Sequence, residues 1–187
     1  MQTQPSLDSF LGEYEKGNPQ VIWTHIVSDL ETPVSAMMKL AESEPYSFLF
    51  ESVEGGAVRG RYSIIGMRPD LIWKCHGQKA EINTSALEDT ETGFVPCDEP
   101  PLKSMRSLLA RSRIDLPDHL PPMAAGVFGY MGYDMVRLME SLPEANEDVL
   151  RVPDSIFLRP TVMVIFDSVK DQMSLVTPVF PSDEMSG

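Results

Sequence analysis

The chain has 187 residues, of which 28 are acidic and 15 basic, so its formal net charge is −13. This balance argues against nucleic acid and anionic membranes as main partners, because both carry phosphate charge that lysine and arginine neutralise. A content of 42% hydrophobic and 23% charged residues is typical of a globular protein, and the length predicts a single domain over residues 1–187.

The first half of the chain changes from helical to sheet-like patterning. Apolar residues recur at helical spacing after Ser6, which can cap a helix. Thr32 and Pro33 predict a second helix, because threonine caps helix N-termini and proline costs nothing at the first helical position. Residues 76–79 predict a tight hairpin turn. The predicted elements are helices over 6–16 and 32–43 and strands over 21–27, 46–53, 61–66, 71–75 and 80–84.

The second half adds two helices and another hairpin, separated by acidic loops over 87–100 and 141–155. The predicted elements are helices over 102–113 and 134–140 and strands over 124–130, 161–166 and 173–180. The strands come in neighbouring pairs and strict βαβ alternation is absent. The fold class is therefore predicted to be α+β, with a largely antiparallel β-sheet and a few flanking helices.

The sequence also predicts apolar faces for two of these helices. For the helix that begins at Thr32, the residues expected to face the core are Met37, Met38, Leu40 and Ala41. For the helix over 102–113, they are Met105, Leu108 and Leu109.

The cysteines and the N-terminus predict the compartment. Cys75 and Cys97 form no CxxC pair, which argues against a zinc knuckle or a thioredoxin-like motif. Two free thiols are favoured over a disulfide. Residues 1–5 lack the basic and apolar regions of a signal peptide, and no apolar run reaches the roughly 20 residues of a membrane helix. The sequence thus predicts a cytoplasmic protein.

Common catalytic motifs, such as GxSxG, HExxH and the P-loop, are missing from the sequence, and its three histidines are scattered. One constellation suits a small zwitterion. Glu51 and Ser52 end an apolar strand, and Arg59 and Arg61 begin the next one. A carboxylate can bind an ammonium group, a hydroxyl can bind a carboxylate, and the neighbouring aromatic residues can enclose an apolar side chain.

A structural role for the same residues remains open. Glu51 can pair with Arg59 or Arg61 across the hairpin. Strand alternation also places Glu51 and Ser52 on opposite faces, so both enter one pocket only if a bulge intervenes. Gly55 and Gly56 make such a bulge possible.

A second constellation contains three glycines, Gly126, Gly129 and Gly132, in a GxxGxxG run. Bulky residues interleave them, so close backbone packing explains them better than a phosphate loop. Tyr130 and Tyr133 suit a contact surface if exposed, and a core strand otherwise.

The short helix that follows is predicted to be capped by Asp134. Arg137 and Glu140, spaced i,i+3, are expected to pair on its surface.

These two constellations resemble, in order and separation, the N-terminal region of anthranilate synthase component I, the large subunit of the first tryptophan-pathway enzyme. The matching segments read FLFESVEGGAVRGRYSIIGMRPDL and AGVFGYMGYDMVRLMESLP. The resemblance extends over about 21–180 and departs at Phe50, where the family commonly has leucine. It implies the N-terminal domain of a chorismate-utilising enzyme, without the half that binds chorismate and Mg²⁺.

The resemblance also implies a site. Family members are inhibited by tryptophan, which binds near the Glu-Ser pair and the following strand. The implied tryptophan-binding residues are Glu51 and Ser52, followed by Arg59, Gly60, Arg61 and Tyr62. No catalytic residue and no metal ligand is expected within this chain.

For the parent subunit, the resemblance implies a lyase that converts chorismate and glutamine-derived ammonia to anthranilate and pyruvate. It implies Mg²⁺, a glutaminase subunit (component II) and the subunit's own C-terminal catalytic half as partners. These 187 residues are then the N-terminal portion of a larger subunit and inactive alone.

Two alternatives remain open at this point. One is the corresponding region of aminodeoxychorismate synthase component I, from folate synthesis. The other is a stand-alone module that binds a small ligand, which a gene ending at Gly187 would favour.

Overall fold

The computed structural model describes residues 2–53, 59–143 and 147–181, with the backbone alone for residues 52, 53 and 59. The described helices are α1 (Leu7–Tyr14), α2 (Pro33–Ala41), α3 (Pro101–Arg111) and a 3-10 helix (Tyr133–Leu138). The described strands are β1 (Gln20–Val27), β2 (Phe48–Val53), β3 (Arg59–His76), β4 (Lys79–Asn83), β5 (Val95–Pro96), β6 (Phe128–Met131), β7 (Ser155–Asp167) and β8 (Gln172–Val179). Among the described helices, none is long and apolar enough to cross a membrane.

The strands pair in the order β1-β8-β7-β3-β4-β5, while β2 pairs with β3 and β6 pairs with β7. Each pairing with a described register is antiparallel. This confirms the predicted α+β class with a largely antiparallel sheet.

The chain folds into two compact units. Unit 1 contains the described residues of Met1–Arg68, Arg113–Gly126 and Pro160–Gly187, and unit 2 contains those of Pro69–Ser112 and Val127–Arg159. The long strands β3 and β7 supply residues to both units. The prediction of a single domain over 1–187 stays a prediction.

Helix α2 begins as its cap predicts. The Thr32 hydroxyl accepts a hydrogen bond from the Ser35 N–H at 3.1 Å, and the Thr32 N–H donates to the Ser35 hydroxyl at 2.9 Å. This capping box satisfies two backbone donors that the first turn otherwise leaves unpaired. The predicted apolar face is partly wrong, because Met38 and Leu40 are exposed. The unit 1 core contains Ala36, Ala41, Ile65, Met67, Val164, Phe166 and Met173.

Unit 2 has its own core around Trp73, which is fully buried. The indole Nε1–H of Trp73 donates to the Ser104 hydroxyl of α3 at 3.0 Å, so the buried donor is satisfied. Leu108 of α3 is buried as predicted, but Leu109 is exposed. The core contains Leu71, Trp73, Cys75, Ala80, Ile82, Leu108 and Met135.

Strand β3 is continuous over Arg59–His76, where the sequence predicts separate strands over 61–66 and 71–75. The predicted break is reduced to one residue of unusual backbone conformation, Arg68, whose φ is +52°. The Thr161 hydroxyl donates to the Arg68 carbonyl at 2.7 Å and satisfies it. The predicted hairpin at 76–79 is confirmed, with His76 opposite Lys79 and Gly77 at a φ of +55°.

The GxxGxxG run has the predicted backbone role. A Cβ atom added at Gly129 would overlap the carbonyl oxygen of Ile156, and one at Gly132 would lie 2.7 Å from the carbonyl oxygen of Asp154. Gly126 instead adopts a φ of +139°, which side chains rarely permit.

The expected cap of the 3-10 helix is wrong. Its N-cap is Gly132, because Asp134 lies inside the helix and pairs with Arg137 at 2.7 Å. Arg137 is therefore engaged by Asp134 and not by Glu140 as predicted.

We expect Gly129→Ala to destabilise the protein by about 2 kcal/mol or more, because β6 must move away from β7 to admit the methyl group. Urea unfolding followed by circular dichroism measures this change. Gly12→Ala is the matched control, since a Cβ there meets nothing within 4 Å. In helix α1 it should stabilise by about 0.5–1 kcal/mol. Equal effects of the two changes would contradict the packing role.

Candidate functional site

A surface cavity of about 470 Å³ lies on unit 1, within the usual size range of small-molecule sites. Strands β2 and β3 form most of it, and the segment between α3 and β6 supplies one side. Its lining residues are Phe50, Glu51, Arg61, Tyr62, Ile64 and Met123. The cavity thus combines a carboxylate, a guanidinium and apolar walls.

An irregularity in strand pairing brings these side chains together. Glu51 faces Ser63, whereas Val53 faces Arg59, so residues 60–62 of β3 lie opposite Ser52 alone. Extra residues on one strand break the alternation of faces. Arg61 and its neighbour Tyr62 therefore both line the cavity. The sequence predicts that a bulge is needed and assigns it to Gly55 and Gly56, which lie outside the described residues.

Arg61 is held by an acid 106 residues further along the chain. Its Nε donates to Asp167 Oδ1 at 3.1 Å, and its Nη2 donates to Asp167 Oδ2 at 2.8 Å. Such bidentate geometry fixes the orientation of the guanidinium. The hydrogen bond from Arg61 holds the pKa of Asp167 below its usual value, and the same pair raises the pKa of Arg61. Pairing of Arg61 with Glu51 is therefore not observed.

The remaining polar groups at the cavity have spare bonding capacity. The bond to Asp167 uses the Nε and Nη2 groups of Arg61, which leaves Nη1 for another acceptor. The Arg61 guanidinium carbon lies 4.8 Å from the centre of the Tyr62 ring. Glu51 is exposed and forms no hydrogen bond or ion pair with a described residue. The cavity can therefore bind the cationic group of a small ligand through Glu51 and its anionic group through Arg61.

Met123 is a wall residue that the sequence does not predict. It lies between two buried residues, Leu120 and Ala124. The Leu120 N–H donates to the Pro117 carbonyl at 3.0 Å, and the Ala124 N–H donates to the Pro121 carbonyl at 2.9 Å. These turns fix the segment that presents Met123. No local pattern signals this, because the cavity is formed by strands more than 50 residues earlier.

Three of the six predicted site residues, Glu51, Arg61 and Tyr62, line the cavity. Gly60 lies in β3 opposite Ser52 and does not line it. The side chains of Ser52 and Arg59 lie outside the described residues.

The histidine, cysteine and acidic side chains of the described residues do not form a metal site. Within residues 2–53, 59–143 and 147–181, no three His, Cys, Asp or Glu side chains lie close enough to hold a metal ion. Both cysteines are free thiols, as predicted. Burial raises the pKa of Cys75 to about 11, so this thiol stays protonated at neutral pH.

The comparison with known proteins finds relatives that share one name, anthranilate synthase component 1. Anthranilate synthase component 1 of Cereibacter sphaeroides is 48% identical over 181 residues, which is 97% of this chain and 36% of that protein. The protein of the same name from Thermus thermophilus is 38% identical over 154 residues, which is 81% of this chain and 30% of that protein. The chain thus spans about a third of the length of these relatives, at their N-terminal part. No family model matches.

A solved structure shares the fold. The crystal structure of anthranilate synthase component I from Streptococcus pneumoniae TIGR4 matches 86% of this chain and 32% of that chain, with a TM-score of 0.50 and 22% identity.

We expect Asp167→Asn to lower the free energy of unfolding at neutral pH, because it removes the charge that Arg61 pairs with. The folded pKa of Asp167 is lowered. Its contribution is therefore present above the unfolded pKa of about 3.9 and is lost as the pH falls through the folded pKa. The difference between wild type and variant should shrink as the pH falls from 6 toward about 3. Urea unfolding across this range measures it.

Asp115→Asn is the matched control. Its carboxylate is exposed and lies 4.0 Å from Arg113, so its removal should leave stability unchanged. An Asp167→Asn effect no larger than this would contradict the anchoring role of the ion pair.

Proposed function

The chain belongs to the anthranilate synthase component 1 family, which it matches over the N-terminal part of the relatives, and on this premise we propose that the unit 1 cavity is a tryptophan feedback site. The observation that carries the proposal is the convergence of Glu51, Arg61 and Tyr62 on one cavity. The family resemblance points to the same strands. The names of the relatives favour the anthranilate branch over the aminodeoxychorismate branch.

The chemistry of the lining suits an aromatic amino acid. The exposed Glu51 carboxylate binds the α-ammonium group, and the Arg61 guanidinium, fixed by Asp167, binds the α-carboxylate. Phe50, Tyr62 and Met123 contact the indole ring through aromatic and thioether contacts. Ser52 and Arg59 are assigned to the site by resemblance alone.

For a polypeptide of the relatives' full length, the proposed activity is a lyase reaction. Chorismate and ammonia from glutamine give anthranilate and pyruvate, the first step of tryptophan biosynthesis. Mg²⁺ and a glutaminase subunit belong to this proposal, as does a cytoplasmic location. Mg²⁺ would stabilise negative charge in the chorismate-binding half. We assign the Mg²⁺ site to that half, and the described residues of this chain contain no group of three metal-ligating side chains.

The proposed regulation is a shift between two states of the full-length protein. Tryptophan binds more tightly to a state that turns chorismate over poorly, and so increases its population. The difference in affinity between the states sets the largest possible inhibition. This region supplies the effector site and performs no bond-making step.

We expect the 187-residue chain alone to form no anthranilate from chorismate, ammonia and Mg²⁺, because the proposed catalytic groups belong to the rest of the subunit. Anthranilate fluorescence measures the reaction. The Cereibacter sphaeroides protein serves as the positive control under identical conditions. Product formed by the chain above the blank would contradict the assignment.

The feedback proposal is testable in a chimera that carries residues 1–187 in place of the matching region of the Cereibacter sphaeroides protein. We expect Glu51→Gln and Ser52→Ala each to raise the tryptophan concentration for half inhibition by about tenfold or more, the effect of losing one charge-assisted hydrogen bond. Uninhibited turnover should stay near that of the unmodified chimera. Anthranilate formation at graded tryptophan concentrations measures both quantities.

Glu88→Gln is the matched control, because Glu88 is an exposed acid that does not line the cavity. It should leave inhibition unchanged. If all three variants keep the inhibition of the unmodified chimera, the cavity is not the feedback site.

A further inference from the structure

Unit 2 carries an exposed apolar and aromatic surface that the proposed feedback site does not use. Tyr133 is 82% exposed, Leu150 is 80% exposed and Val149 is 79% exposed. The partly exposed Tyr130 donates its hydroxyl to the Pro153 carbonyl at 2.6 Å, so its ring is fixed in place. Soluble proteins expose single apolar side chains routinely, but a contiguous group of them marks an interaction surface.

These residues line one groove of about 830 Å³ in unit 2. The 3-10 helix supplies Tyr133 and Asp134, and the segment that precedes β7 supplies Asp148 and Leu150. We call this the acidic–aromatic groove. Tyr130 and Tyr133 are both exposed, so of the two alternatives that the sequence leaves open for them, a core strand is wrong and a contact surface remains.

The charges of the groove are strongly asymmetric. Among its described lining residues, four carboxylates accompany a single guanidinium, that of Arg137. Arg137 is already engaged, donating to Asp134 Oδ1 and to the Pro143 carbonyl, each at 2.7 Å. The carboxylates keep free acceptors. Asp134, Asp148 and Asp154 each use one oxygen toward a described donor, and Glu147 uses neither.

We propose that the acidic–aromatic groove docks a segment of a separate protein partner, in which arginine or lysine alternates with bulky apolar residues. Free carboxylate oxygens beside tyrosine rings bind guanidinium and ammonium groups through charge-assisted hydrogen bonds and cation–π contact. Leu150 and Val149 give the neighbouring apolar side chains a surface to bury against.

The same charges exclude other classes of partner. Nucleic acid and anionic membrane both present phosphate, which the carboxylates repel. A purely cationic ligand leaves the exposed leucine, valine and tyrosine uncovered. A segment that is both basic and apolar complements all of these features.

The test uses three fluorescein-labelled peptides, each of four repeats, with the repeats Arg-Leu-Gly, Arg-Ser-Gly and Glu-Leu-Gly. Fluorescence anisotropy at about 0.15 M salt, where long-range charge effects are screened, measures binding to the 187-residue chain. We expect saturable binding of the Arg-Leu-Gly peptide, with the Arg-Ser-Gly peptide about tenfold weaker and the Glu-Leu-Gly peptide not bound. Equal binding of the two arginine peptides would overturn the proposal, because it would show charge attraction alone.

Variants locate the binding. Tyr133→Ser and Leu150→Ser should each weaken the Arg-Leu-Gly peptide by about fivefold or more, the effect of losing one apolar contact. Leu30→Ser is the matched control, since Leu30 is 90% exposed in unit 1 and does not line the groove. All three side chains are on the surface, so circular dichroism should show an unchanged fold.

Charge variants provide an independent test. The pair Glu147→Gln and Asp148→Asn should weaken binding, whereas the pair Glu88→Gln and Glu91→Gln, which removes the same charge from another acidic loop, should not. Equal effects of the two pairs would overturn the proposal. So would the absence of binding to the chain.

The chimera with the Cereibacter sphaeroides protein distinguishes two occupants of the groove, namely a separate protein partner and another part of the family-length polypeptide. Binding of the Arg-Leu-Gly peptide to the chimera supports a separate protein partner. If the peptide binds the 187-residue chain but not the chimera, the groove is covered within the polypeptide, and the proposal of a separate partner is wrong. Tryptophan inhibition of the chimera does not enter either outcome, so the feedback proposal stands or fails independently.

Discussion

The mismatch in pairing between β2 and β3 is the constraint on which the candidate site depends. A regular antiparallel ladder sends consecutive side chains to opposite faces, so Arg61 and Tyr62 would not line one cavity. Three residues of β3 opposite Ser52 alone remove this restriction. The mismatch creates the convergence, but it does not fix the position of a long arginine side chain. The bidentate bond to Asp167 does that, and it leaves part of the guanidinium available.

The features that the sequence predicts correctly are those set by neighbouring residues. The capping box at Thr32 and the turn at Gly77 each depend on residues within three or four positions. Local signals fail where pairing with distant segments decides. Residues 67–70 look like a break, yet β3 continues through them because Arg68 accepts an unusual φ. The partnership of Arg61 with Asp167 was not predictable, because nothing within either segment refers to the other.

Helix periodicity has a similar limit. It predicts that a helix has an apolar stripe, but it does not locate the edges of that stripe. Leu109 and Met38 are apolar and fall near the predicted faces, and both are exposed because no described element covers them. The family resemblance gives a different kind of information. It assigns Ser52 to the site without showing where the side chain lies, whereas the cavity assigns Glu51 and Arg61 to the site without reference to any relative. Glu51, Arg61 and Tyr62 are assigned to the site both by the family resemblance and by the lining of the cavity.

The glycine-rich segment shows how a backbone constraint can shape a surface. Gly129 and Gly132 allow β6 and the turn after it to approach the carbonyl groups of β7 and of Asp154. The neighbouring Tyr130 and Tyr133 are left on the outer surface, where only the Tyr130 hydroxyl finds a backbone partner among the described residues. The acids of the loop before β7 then lie beside exposed aromatic rings and not in open solvent alone. Part of the net charge of −13 is therefore a specific feature of the groove. Carboxylates next to apolar surface select basic partners, whereas scattered carboxylates only keep a protein soluble.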